Sequence, residues 1–254
     1  RLWRADRAGI FTPVDSKILD TIPPFLRHPQ GHWFGFSERA RVIMYNKAKV
    51  KPTALSTYED LANPKWKGKI IVRPANNTYN QSLVASLVVA NGEQETEKWC
   101  RGLIANLAQP PQGNDVDRIE GVASGVADLT LANTYYFAHF ANDPDPAKRK
   151  VFEQVGVFFP NQNDRGTHIN IGGGGLVKTA PNREVGIKFL EFLTSKTAQT
   201  FFTQENYEYP VMEGIPLNPI LASFGSFKPD ITDIASYGPN LAVAVEIMAR
   251  AGWK

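Results

Sequence analysis

The chain has 254 residues, of which 43% are hydrophobic and 21% charged, so wholesale disorder is excluded and a large core divided between two lobes is expected. The formal net charge of +3 is small and the basic residues are spread along the chain, so nucleic acid is not expected as a partner. No run of about 18 apolar residues marks a membrane span, and the polar start is not that of a secretory signal.

A long extended segment at 33–45 is the first strong pattern, and it is expected to cross between lobes. Further along, Asn77-Thr78 offers an N-cap for a helix that Asn91-Gly92 terminates, and Glu93 opens the next helix. These signals place a helix start directly after the short apolar strand at 70–72.

The same alternation continues through the second half of the chain. Asp115 is a predicted N-cap, and an apolar strand follows that runs into Tyr135. The remaining predicted elements are a strand at 155–159, a second extended crossing at 169–177, a strongly patterned helix from Pro181 and a closing helix after Pro239. Alternating helices and strands favour α/β lobes with largely parallel sheets.

Several segments resemble motifs of enzymes or structural metal sites but lack residues that those motifs require. In the glycine run 172–175, Leu176 and Val177 stand where a phosphate-binding loop needs lysine and serine or threonine. His28 and His32 have the spacing of a helical metal pair, but the Pro29 and Gly31 between them forbid a helix, so a zinc-protease site is excluded. No nucleophile motif is present, so no enzyme is expected.

Single cysteine and histidine residues carry weaker signals. Cys100 is interpreted as a buried structural thiol rather than a reactive one. His139 and His168 are candidates for contact with a site, although a lone histidine is more often a structural residue.

Three tyrosines follow strand ends at predicted helix starts: Tyr79, Tyr135 and Tyr136. Ligands of open α/β sheets gather outside the carboxyl ends of strands, where the positive end of a helix dipole favours an anionic oxygen. Taken alone, a Tyr-Tyr pair is more typical of one core ring and one surface ring. The irregular turn at Asn133-Thr134 would be needed to aim both hydroxyls at one point.

A set of motifs in fixed order resembles one family. They are the segment 68–74 followed by Tyr79-Asn80-Gln81-Ser82, the turn at 113–115, Asn133-Thr134-Tyr135-Tyr136, the segment 167–170 and the helix from Ala180-Pro181-Asn182. The chain is similar over essentially its whole length to the periplasmic ferric-iron-binding proteins of ABC importers, most closely their cyanobacterial branch. The pairing of Tyr-Asn-Gln-Ser with Asn-Thr-Tyr-Tyr is the specific part of this resemblance.

The resemblance implies that Tyr79, Tyr135 and Tyr136 bind Fe³⁺, with His139, Arg41 and Asn133 as supporting residues behind them. A hard trivalent cation favours anionic oxygen ligands, and it lowers the pKa of a phenol beside it, so three phenolates would balance its charge. The family's further donors, which come from the first strand and loop, find no match here. Arg39 and Arg41, near the first crossing, would hold an anion or form a hinge salt bridge, and the salt bridge is the favoured interpretation.

The resemblance also implies a two-lobe periplasmic binding protein with a hinge cleft, whose first lobe lacks its N-terminal strands in this chain. The first lobe would comprise residues 1–40 and 171–254, and the second lobe 41–170. The implied protein is a periplasmic monomer, with no signal sequence in this chain, that delivers ferric ion to an ABC transporter permease without catalytic turnover. The alternative keeps the fold and assigns a small organic anion, a phosphonate or carboxylate.

Overall fold

The computed structural model describes residues 1–254 as a mixed α/β structure, which confirms the predicted class. The strands are β1 (Phe34–Asn46), β2 (Ile70–Ile71), β3 (Leu129–Asn133), β4 (Val155–Phe158), β5 (Ile169–Gly174) and β6 (Tyr209–Pro210). The helices are α1 (Leu2–Arg7), α2 (Thr78–Ala105), α3 (Asp115–Ala123), α4 (Thr134–Ala141), α5 (Pro146–Gln154), α6 (Arg183–Phe192), α7 (Lys196–Asn206), α8 (Pro219–Ser223) and α9 (Leu241–Arg250). None of the helices combines the length and apolar character that a bilayer crossing requires.

Strand β1 is the centre of the sheet. Its first half pairs with β5 and β6, and its second half pairs with β3 and β4. All four pairings are antiparallel, and β2 with β3 is the one parallel pair. The prediction of largely parallel sheets was therefore wrong, because a helix between two strands returns the chain to the sheet without fixing which neighbour the next strand joins.

Three apolar clusters fill the space on and around the sheet. One contains residues from 14–36 together with β5, Leu190 of α6 and Val211. A second gathers side chains of α3, α4 and α5 against β1. The third joins α2 to α9, so that Met248 and Trp253 share a core with Leu83 and Leu87. Helix α9 thus packs on the element that carries Tyr79, whereas the predicted boundaries assigned it to the first lobe.

Two local predictions are confirmed with one adjustment. Asn77 is the N-cap of α2, and Gly92 interrupts that helix with φ of 79° and ψ of 166°, a conformation that belongs essentially to glycine. For α3 the N-cap is Asn114 rather than Asp115, and Asp117 completes a capping box with it. Asp115 is thereby left free, as the first residue of α3, to point into the interior, where it is fully buried.

Candidate metal centre

Tyr79 lies in the first turn of α2, and the cap of that helix holds it there. The Asn77 side-chain oxygen accepts hydrogen bonds from the backbone N–H groups of Tyr79, at 3.0 Å, and Asn80, at 3.3 Å. An N-cap of this kind satisfies N–H groups that have no partner within the helix. The backbone next to Tyr79 is therefore fixed by local hydrogen bonds.

Tyr135 and Tyr136 lie in the first turn of α4, which begins at Thr134 directly after β3 ends at Asn133. Because β2 and β3 are parallel neighbours, their carboxyl ends meet at one edge of the sheet. The helices that follow them, α2 and α4, consequently both start there. This topology brings tyrosines that are 56 residues apart in the chain to the same place.

The three phenol rings form one cluster. The hydroxyl oxygens of Tyr79 and Tyr135 are 3.2 Å apart. The ring centroids of Tyr135 and Tyr136 are 4.1 Å apart, and those of Tyr79 and Tyr136 are 6.4 Å apart with the rings nearly perpendicular. The turn between β3 and α4 thus brings both adjacent rings to the same partner, instead of sending one into the core and the other into solvent.

Burial raises the pKa of two of these phenols, those of Tyr135 and Tyr136. Burial raises the pKa of Tyr135 above its ordinary value, and hydrogen bonding to the phenols of Tyr136 and Tyr79 raises it further. Burial also raises the pKa of Tyr136. A cation bound between the rings would have to displace these protons, which a trivalent charge at bonding distance can do.

Three guanidinium groups surround the cluster. Those of Arg41 and Arg73 lie 5.8 and 6.0 Å from the ring centroid of Tyr79. Arg39 lies 5.7 Å from the ring centroid of Tyr135. The rings of the candidate ligands are thus packed against the guanidinium groups of three different arginines.

Arg41 is fully buried and anchors the site to the sheet. Its Nη1 pairs with Asp115 at 3.2 Å, and its Nη2 donates to the Asn80 side-chain oxygen at 2.8 Å and to the Leu131 carbonyl at 3.1 Å. Breaking such a buried pair from one side leaves an uncompensated charge, which is strongly destabilising. Arg41 therefore makes a salt bridge, as favoured from the sequence, and links the start of α2 to the end of β3.

Arg39 makes no ion pair, and its buried Nε has no hydrogen-bond partner.

The other two predicted supporting residues also lie beside the tyrosines, without hydrogen bonding to them. Asn133 is fully buried and its side-chain oxygen accepts from Arg41 at 3.1 Å, so its connection to Tyr79 runs through that guanidinium. His139 packs edge-on to the ring of Tyr135, at 6.5 Å between centroids, and to Tyr207, at 4.9 Å. Burial lowers the pKa of His139, which favours the neutral imidazole beside the phenols.

A cavity of about 330 Å³ opens beside Tyr79 and Arg39. Ser82 and Asn170 line it, and the fully buried His168 lies behind them, with its Nε2 3.1 Å from the Ser82 hydroxyl. Burial lowers the pKa of His168 to about 3, so this imidazole is neutral at physiological pH. His168 is thus a buried structural residue that hydrogen-bonds to the cavity wall.

Two participants were missed from the sequence. Asp115, interpreted from the sequence as a helix cap, forms ion pairs with both Arg41 and Arg73, the latter at 3.4 Å. Arg73 was noted as part of a motif but given no role. A buried ion pair between residues 74 positions apart leaves no local pattern. The position of Arg73 directly after the strand at 70–72 was the one signal that could have found it.

The site offers three convergent phenol oxygens at two helix N-termini, backed by arginines. Such a set is suited to holding a hard cation. The fold and the site together define a solute-binding protein.

The match to known families agrees with that class. Residues 2–222 match the family model described as bacterial extracellular solute-binding protein, and the chain belongs to this family.

Its relatives have names that refer to iron. The chain is 61% identical to iron uptake protein A1 of Synechocystis and 46% identical to iron uptake protein A2 of the same organism, with all of this chain aligned to 71% and 74% of their lengths. Its structure superimposes with a TM-score of 0.98 on a Trichodesmium protein described as a complex with iron and citrate ligands. That protein is 54% identical, and the match covers all of this chain and 80% of that chain.

Proposed function

We propose that this protein binds Fe³⁺ through the phenolate oxygens of Tyr79, Tyr135 and Tyr136. The observation that carries the proposal is the 3.2 Å approach of the Tyr79 and Tyr135 hydroxyls, with Tyr136 packed against both rings. Three anionic oxygens match the charge of a small, hard, trivalent ion. The similarity to iron-uptake proteins over the whole chain supports the same conclusion.

The protein is a carrier in this proposal, with no catalytic turnover. It acts outside the cytoplasm, in the periplasm, as a monomer that passes ferric ion to the permease of an ABC transporter. The extracellular solute-binding family to which it belongs supports this location. Gain of one electron, which reduces Fe³⁺ to Fe²⁺, would lower the charge of the ion and weaken its attraction to phenolates.

The proposal includes movement of two lobes around the ion. The first lobe contains the apolar cluster built from residues 14–36 and β5, and the second contains the tyrosines. We place α9 with the second lobe because it packs on α2. The extended segments β1 and β5 are two of the connections about which a hinge closure would occur.

The test is the visible spectrum of metal-free protein titrated with ferric citrate. Phenolate-to-iron charge transfer should give a red to orange colour. Tyr135→Phe should weaken or shift the band and lower iron affinity at least about a hundredfold, since even removal of a group that only supports a ligand costs 10–100-fold. Tyr45→Phe, a tyrosine of β1 outside the cluster, is the matched control and should leave the band unchanged.

A protein that stays uncoloured would contradict the proposal. Thermal stabilisation of that uncoloured protein by a phosphonate or carboxylate would instead favour the organic-anion alternative. The guanidinium of Arg39, which lines the cavity, is where such an anion would bind.

A further inference from the structure

A second group of metal-binding side chains lies in a separate part of the chain. The rings of His28 and His32 are stacked, with centroids 4.5 Å apart and planes 4° from parallel. The Asp6 carboxylate spans the two rings: one oxygen is 2.5 Å from His32 Nδ1 and the other is 3.5 Å from His28 Nε2. One donor atom from each of the three residues lies within 4.8 Å of the other two.

A tight turn brings the two histidines together. The His28 N–H donates to the Trp33 carbonyl and the Gly31 N–H donates to the His28 carbonyl, each at 2.9 Å. The Gly31 carbonyl in turn accepts from the Val14 N–H at 3.0 Å. Gly31 has φ of +70°, and a Cβ there would lie 2.6 Å from the Val14 carbonyl oxygen, so glycine is required. Pro29 and Gly31, which exclude a helix, thus lie in a turn that brings the imidazoles of His28 and His32 together without helical geometry.

The group is shielded but still reachable from solvent. The side chains of Asp6, His28 and His32 are 16%, 16% and 25% exposed. Asp6 forms no ion pair with lysine or arginine, so the two histidines are its only charged or chargeable partners. No hydrogen bond or ring contact connects the group to the three tyrosines.

We propose that Asp6, His28 and His32 bind a divalent transition-metal ion of the Zn²⁺ type. Two imidazoles and one carboxylate are a donor set that such borderline ions prefer, with a solvent-facing position left for water. Fe³⁺, the harder ion, prefers the phenol cluster. The chain would therefore separate two metals by donor chemistry.

Two adjustments accompany binding. The ion replaces the hydrogen bond between His32 Nδ1 and the Asp6 carboxylate, so in the bound state the His32 ring carries its proton on Nε2, and the two atoms move apart to normal metal-ligand geometry. His28 now accepts a hydrogen bond at Nδ1 from the Gln30 N–H, at 3.1 Å. To present Nε2 to the ion, the His28 ring must carry its proton on Nδ1. The exposed Gln30 N–H then donates its hydrogen bond to water instead of to His28.

The test is calorimetric titration of metal-free protein with Zn²⁺ in the Tyr135→Phe background, so that the phenol cluster does not contribute. We expect one Zn²⁺ per chain with Kd of about 10 µM or tighter. His32→Asn should weaken binding at least about tenfold. Glu246→Gln, at an exposed carboxylate outside both metal groups, is the control and should leave the titration unchanged.

A second measurement uses the unmutated protein and does not depend on the variants folding. Co²⁺ should give visible bands of an imidazole-ligated ion, and Zn²⁺ should shift the ring proton NMR signals of His28 and His32 but not those of buried His168. Absence of Zn²⁺ binding, or full affinity in both His32→Asn and His28→Asn, would overturn the proposal.

Discussion

Glu38 lies in β1 with 9% of its surface exposed. Burial alone raises the pKa of its carboxyl group to about 7, and no salt bridge or hydrogen bond to its side chain opposes that shift. The unfolded chain, with an ordinary pKa near 4.5, ionises first as pH rises. The folded state therefore loses stability from pH 4.5 upward, until Glu38 ionises in the folded protein as well.

Replacement of Glu38 by glutamine should remove this pH-dependent loss. The gain in free energy of unfolding, measured by urea denaturation, should be greater at pH 8 than at pH 4.5 by about 3 kcal/mol. The 2.5 pKa units correspond to about 3.5 kcal/mol in full, and a small part of this is already present at pH 4.5, where half of the unfolded chains are ionised. Glu246→Gln, at a side chain that is 70% exposed, is the control and should show no such difference. An equal effect of Glu38→Gln at both pH values would contradict the assignment.

The tyrosines show how far single residues could be interpreted from the sequence. Position after a strand predicted that Tyr79, Tyr135 and Tyr136 lie at helix starts, and the resemblance implied their convergence. Pattern alone pointed to divergent rings. That Asp115 is the partner of Arg41 was out of reach, since ion pairing between distant segments depends on the fold and not on local spacing.

At the scale of elements, the N-cap of α2 connects helix stability to the site. Asn77→Ala should lower the free energy of unfolding by about 1 kcal/mol, because two N–H groups of the first turn lose their acceptor. Asn182 occupies the same position in α6 but makes no side-chain capping bond, so Asn182→Ala should cost only a few tenths of a kcal/mol. Urea denaturation of both variants measures the difference, and equal losses would show that the Asn77 cap contributes nothing.

Helix boundaries followed from the sequence better than strand partners did. Asn77 and Gly92 act locally, through a cap and a backbone conformation, and both predictions are confirmed. Strand direction is a property of non-local pairing, and β1 accepts antiparallel neighbours on both of its edges. The pairing of His28 and His32 was missed for the same reason. Their spacing was compared only with that of a helical metal pair, whereas a turn brings the two rings together.

At the scale of the whole molecule, iron binding should be strongly coupled to pH. Because burial raises the pKa of Tyr135 and Tyr136, both phenols are protonated before binding, and each ligand must lose its proton to bind Fe³⁺. Each proton released weakens affinity about tenfold for every unit by which pH falls. We expect about three protons per ion if all three tyrosines are ligands.

Proton release can be counted with an indicator in weakly buffered solution as ferric citrate is added, after subtraction of the protein-free reaction. Tyr135→Phe should release about one proton fewer, and Tyr45→Phe should match the unmodified protein. Release that is the same in all three proteins would exclude phenolate ligation by Tyr135.

Strand β1 carries partners from widely separated parts of the chain along its 13 residues. A cut or insertion within it would separate the two halves of the sheet at once. The exposed stretch around Asp143–Asp145, between α4 and α5, belongs to no strand. Fragments divided at that stretch would each keep their strands whole and could reassemble, so it is the natural position for circular permutation or for a split reporter.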